Sequence, residues 1–92
     1  MTQDHLNAIL DVISAKSDKD GWSTFGDGRA LTFYAAHDGV QLTIARVEAV
    51  MVKAGLVRAR TTRGETYLVA LEDLFAAAAE ATPTQSRKAG FA

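Results

Sequence analysis

The chain has 92 residues, 48% hydrophobic and 23% charged, with a net charge of −1 and no cysteine. Its length fits one domain with a single modest core. The composition excludes disulfide stapling, thiolate metal sites and bulk attraction to nucleic acid or acidic lipid. No run approaches the roughly 20 apolar residues of a membrane span. The first twenty residues lack a basic start and a continuous apolar run, so they do not read as a signal peptide. A cytoplasmic location is the expectation.

The first predicted element is a helix over about residues 3–16. Leu6, Ile9, Leu10 and Ile13 recur at helical spacing along one face. Thr2 or Asp4 is placed to cap it, and His5 and Asn7 fall on its polar side. Residues 22–71 then read as an antiparallel meander of five strands. Its turns are expected at Asp27-Gly28, Asp38-Gly39, Ala54-Gly55 and Arg63-Gly64, because a two-residue hairpin needs positive φ and glycine reaches it freely.

Pairing around each turn predicts the register. About Asp38-Gly39, His37 opposes Val40, Ala35 opposes Leu42, and Phe33 opposes Ile44. About Asp27-Gly28, Phe25 opposes Ala30 and Trp22 opposes Phe33. About Ala54-Gly55, Val52 meets Val57 and Val50 meets Ala59. About Arg63-Gly64, Ala59 meets Leu68, Val57 meets Ala70, and Arg60 lies opposite Tyr67. The 16-residue interval from Gly39 to Gly55 implies a strand of some 14 residues, with a bend or bulge near Ala45-Arg46.

A second helix is predicted after the meander, from Leu71, Leu74, Phe75, Ala78 and the alanine run 76–79. It should stop before Pro83. Residues 1–82 thus form a single small α+β domain: N-terminal helix, strongly bent five-stranded antiparallel meander and C-terminal helix. The meander is expected as an SH3- or Sm-like half-barrel or as an open sheet. Residues 83–92 read as a disordered tail.

No pattern for catalysis stands out. His5 and His37 lie in different elements without metal-ligand spacing, and His37 reads as a solvated residue at a hairpin tip. The serines lack a nucleophile elbow, and Gly26-Asp27-Gly28 does not precede a helix. The chain therefore reads as non-enzymatic, with no metal and no cofactor.

Two surfaces remain for binding. Residues 46–63 hold Arg46, Lys53, Arg58, Arg60 and Arg63 against Glu48, five charges against one or +4. With Tyr67 beside them, they suit a nucleic acid or an acidic protein. Val47, Met51, Leu56, Val69 and Leu71 are read on the same face as Tyr67, interrupted by Arg58 and Arg60. Val50, Val52, Val57, Ala59, Leu68 and Ala70 are read on the other, so the second half of the meander is apolar on both faces, which suits self-association. The leading expectation is a non-catalytic binding or adaptor module that forms a homo-oligomer through its sheet or binds another protein. The alternative is a nucleic-acid-binding regulator.

Two resemblances accompany this reading. Val47-Glu48-Ala49, the alternating residues to Thr61, Gly64 and Tyr67-Leu68-Val69 resemble the first half of LytTR-type DNA-binding domains, whose second half has no counterpart here. The order of helix and meander, with Arg63-Gly64 before the last strand, resembles the Sm-like fold, which uses such a pair for RNA. The Asp and Asn of that fold's earlier motif have no match. Each resemblance covers less than half the chain, and neither assigns a family.

Overall fold

The computed structural model describes residues 1–26 and 28–81. The tail expected over 83–92 lies outside the described residues, as does Asp27 of the first expected turn. The architecture is one helix, α1 (Gln3–Val12), and a seven-stranded antiparallel sheet. The strands are β1 (Lys16–Ser17), β2 (Ser23–Thr24), β3 (Arg29–His37), β4 (Val40–Lys53), β5 (Leu56–Thr61), β6 (Thr66–Ala70) and β7 (Leu74–Ala81). A 3-10 turn, Leu71–Asp73, joins β6 to β7.

Helix α1 begins where its cap predicts: the Thr2 hydroxyl accepts from the His5 N–H at 3.0 Å. It ends at Val12, shorter than its apolar spacing implied. Leu6 is its one wholly buried residue, and Ile13 just beyond it is also buried. The Met1 amino group donates to the carbonyls of Leu74 (2.7 Å) and Leu71 (3.2 Å), tying the helix start to the opening of β7.

Strand β4 organises the sheet. It runs for 14 residues, and Arg46 within it sits at φ +61°. The ladder to β3 slips at this point, from Phe33 opposite Ile44 to Leu31 opposite Val47. This is the bulge that the long turn-to-turn interval demanded, and it bends the strand. The first half of β4 pairs with β3, and the second half pairs with β5. The edge of the second half that β5 leaves open takes β2, with Ser23 opposite Val50 and Thr24 opposite Ala49. The expected contact of Trp22 with Phe33 is therefore replaced: the strand after Trp22 lies against β4, not β3.

The turns at Asp38-Gly39 and Ala54-Gly55 have positive φ at both central residues, as a type I′ hairpin requires. Their predicted registers hold, His37 opposite Val40 and Val52 opposite Val57. The turn at Gly64 differs. The Thr61 N–H donates to the Glu65 carbonyl at 2.8 Å, enclosing three residues rather than two. Thr61 itself braces the loop, its Oγ1 accepting from the N–H groups of Arg63 and Glu65. One extra loop residue slips β6 by one position, so Tyr67 opposes Ala59 and Leu68 opposes Arg58. Because strand side chains alternate, that slip moves Tyr67 to the face away from the arginines.

The second helix is not formed, and the fold is mostly antiparallel sheet with seven strands rather than a five-stranded meander between two helices. The alanine run lies in β7, where Ala77 pairs with Phe33 and Ala79 with Leu31. Helix propensity favours alanine by only a fraction of a kcal/mol per residue over ordinary residues. Without β7, the second edge of β3 would leave its backbone donors and acceptors without strand partners beside a buried core. Pairing satisfies them and buries Leu74. Ala78, exposed and opposite Thr32, tests this assignment. Ala78→Thr is expected to leave stability unchanged or raise it by up to ~1 kcal/mol, since threonine suits a strand. A helix would lose stability from the same change, so a lowered urea midpoint would contradict the strand.

The core gathers Leu6, Ile13, Phe25, Leu31, Phe33, Ala35, Ile44, Val47, Val50, Val57, Ala59 and Leu74. Among the described residues no helix is long and apolar enough to cross a membrane.

Candidate docking groove

The β3–β4 hairpin is longer than the core it covers. Phe33 and Ile44 are buried near its base, but on the same face Leu42 is 41% exposed and Val40 70%. Across from this overhang lies β6, where Leu68 is 57% exposed. These three residues border one open groove of about 240 Å³, with Ala35, Val69 and Ala70; Leu68 pairs with Arg58 and shares that arginine's face, so it meets the groove at the strand edge. Three of the six exposed large apolar residues among the described residues thus border this groove.

Among the described residues the β6 backbone beside the groove has no strand partner on its outer edge; it pairs only with β5. The bonds Thr61 N–H to Glu65 O and Leu71 N–H to Gly55 O set the alternation of this ladder. Tyr67 and Val69 therefore direct their N–H and C=O groups to β5, and Thr66, Leu68 and Ala70 direct theirs outward. On the far side, β7 begins opposite Ala35, so the last residues of β3, Ala36 and His37, extend past it.

One end of the groove is ionisable. The His37 ring Nδ1 lies 3.0 Å from Asp73 Oδ1, and its Nε2 lies 3.4 Å from Asp38 Oδ2. The hydrogen bond to Asp73 is the main cause that raises the His37 pKa above its ordinary 6.5; the Asp73 charge adds to it, and Glu72 contributes further. Because the folded value is raised, the pair's contribution is complete below about pH 6.5 and is lost as pH climbs through the folded value. An NMR titration is expected to place the His37 midpoint above 6.5 and to return it toward 6.5 in Asp73→Asn. A wild-type midpoint at or below 6.5 would contradict the contact.

The residues singled out for binding a nucleic acid or acidic partner are not brought together as one platform. Arg46, Lys53, Arg58 and Arg63 are exposed on β4, β5 and the Gly64 loop. Arg60 is engaged: its guanidinium lies 4.9 Å from the centre of the Trp22 ring, and its Nε is 3.3 Å from Glu48 Oε2. That approach lacks hydrogen-bond geometry, which leaves Arg60 Nε buried without a hydrogen-bond partner. Arg58 Nη1 meets Met51 Sδ at 3.8 Å. Tyr67, on the opposite face, is half-buried and packs against the core.

The five residues read as a self-association surface also separate. Val47 is wholly buried, Met51, Val69 and Leu71 are half-buried, and Leu56 is exposed. The groove uses Val69 alone of these. Sequence reasoning missed Val40, Leu42 and Leu68 because alternation assigns a side chain to a face without saying where the core beneath that face stops. The available signal was the pair of apolar residues directly after the Asp38-Gly39 turn, where a hairpin tip normally turns polar.

Among the described residues no group of three or more His, Asp or Glu side chains is placed to hold a metal ion. Comparison with family models, with curated proteins and with solved structures gives no match.

Proposed function

We propose that this chain is a small non-catalytic binding or adaptor module that receives an extended apolar segment in the groove between β6 and the β3–β4 hairpin. The observation that carries this is the coincidence of an unpaired strand edge with Val40, Leu42 and Leu68. An added strand takes backbone hydrogen bonds from Thr66, Leu68 and Ala70, while every second side chain of that strand enters the apolar groove. A long apolar edge left bare is an aggregation hazard, so an occupant resolves a cost that the fold otherwise carries. A second copy of the chain, offering its own β6, meets the same requirements and would give a homo-oligomer.

The groove favours binding over catalysis. His37 and Asp73 lie beside Ala, Val and Leu, with no serine, threonine, cysteine or lysine lining the groove for them to activate. Nucleic acid is the weaker reading, since Tyr67 lies across the sheet from Arg58 and Arg60. A cytoplasmic setting accords with a chain that has no cysteine.

Selection of random displayed peptides on the folded protein tests the reading. Peptides with apolar residues at alternate positions should be enriched. Their affinity should fall about tenfold or more, at least ~1.4 kcal/mol, for the chain carrying both Leu42→Lys and Leu68→Lys. Both sites are exposed, so the variant should melt as the wild type does. Absence of enrichment, or equal binding to the variant, would overturn the groove.

A further inference from the structure

We propose that the β6 edge beside the groove is taken by a second copy of the chain, the two β6 strands pairing antiparallel about a two-fold axis at Leu68. This inference rests on the groove reading above and names the partner, the register and the contacts. Backbone self-complementarity and charge support it independently.

The outer edge of β6 is complementary to itself. Its outward N–H and C=O groups belong to Thr66, Leu68 and Ala70, spaced evenly about Leu68. A two-fold axis there sets Leu68 against Leu68 of the second copy and Thr66 against Ala70 of the second copy. Each pair exchanges two N–H···O bonds, so every outward group of the strand is satisfied. The side chains agree with this register. Leu68, on the face of Arg58 and 57% exposed, is covered by its own counterpart with Cα atoms about 5.5 Å apart. Tyr67 and Val69 alternate to the core side, so Val69 of the second copy falls opposite Tyr67 beside the groove. Nothing along the edge guards against pairing: β6 reads Thr-Tyr-Leu-Val-Ala, with no charge, no proline and no bulge.

Charge selects the antiparallel direction. The Gly64 loop before β6 carries Arg63, and Arg46 lies beside it, its carbonyl accepting from the Thr62 N–H at 2.9 Å. Neither arginine is in an ion pair among the described residues, and Glu65 alone opposes them in sign there. The turn after β6 carries Glu72 and Asp73, and Asp38 meets the same site through His37. One end of the strand is therefore basic and the other acidic. In the two-fold pair the Gly64 loop of each copy meets the Leu71–Asp73 turn of the other, so Arg63 approaches Asp73 twice by symmetry. A parallel second strand would set like charges together.

Sedimentation of the full chain from about 5 to about 500 µM tests the pairing, since an interface built on one short strand edge belongs to the weak class. A concentration-dependent dimer is expected. Amide exchange should slow at Thr66, Leu68 and Ala70 as the dimer fills, while Tyr67 and Val69, bonded to β5, keep the same protection. Arg63→Asp alone and Asp73→Lys alone should each weaken the dimer about tenfold or more, by setting like charges together twice. Mixed in equal amounts, the two variants should pair as the wild type does, because both contacts are then opposite in sign. Exchange in the unaltered chain decides the matter even where a variant fails to fold. A monomer throughout the range, a dimer without that alternating protection, or a mixture of folded variants no stronger than each alone would overturn the proposal. Peptide selection on dilute protein uses a different readout, so enrichment without a dimer leaves the groove standing and removes only the second copy. If enrichment also fails, both readings fall.

Discussion

Replacing Phe33 with alanine is expected to destabilise the fold by about 3–5 kcal/mol, read as a fall in the urea midpoint at unchanged slope. Phe33 is wholly buried and is the largest of the side chains sealed in the core. It pairs with Ile44 on one side and with Ala77 on the other. It therefore sits where the hairpin and the last strand share a core, and neighbours held in two ladders cannot collapse into the space it leaves. A domain of this size has about 5–14 kcal/mol in all, so the variant should approach the threshold of unfolding. A loss below about 1 kcal/mol would mean that β7 and the hairpin do not converge on this ring.

The second large effect separates backbone pairing from side-chain contact in the groove. Leu68 directs its N–H away from β5, so Leu68→Pro removes no bond of the sheet and is the kind of proline that an edge strand accepts. The fold should persist, while a selected peptide should bind about a hundredfold or more weakly, because the ring blocks strand addition and removes an outward donor. Val69→Pro is the control. Its N–H faces Val57 across the ladder, so the same substitution one residue on should unfold the β5–β6 hairpin. Unaltered peptide affinity in Leu68→Pro would show that the segment docks by side chains alone. Equal destabilisation by both prolines would show that the alternation is assigned wrongly.

The parts legible in the sequence are those that local chemistry decides. Thr2 caps α1 because a hydroxyl there can reach the free N–H groups of the first turn. Gly39 and Gly55 set type I′ turns, and a two-residue turn leaves a single register for Phe33 and Ile44 or for Val50 and Ala59. The interval between those glycines implied the bent 14-residue β4 and its irregularity at Arg46. None of these depends on what lies far away in the chain.

Tertiary structure decided the rest. Arg63-Gly64 suits a two-residue or a three-residue loop, and bracing by Thr61 selected the longer one, which moved Tyr67 away from Arg58 and Arg60. The alanine run 76–79 carries a helical preference too small to outweigh an unpaired β3 edge, and only the folded sheet reveals that edge. The groove follows from the same cause. Val40 and Leu42 were placed on the correct face, but whether a face is covered depends on where β6 ends, where β7 starts and how sharply β4 bends. By itself, then, the sequence determined the helix start, the turns at Gly39 and Gly55 and the registers that those two impose. Which strand closes the sheet, and which apolar residues that closure leaves uncovered, are non-local outcomes settled by burial and hydrogen-bond satisfaction between distant segments.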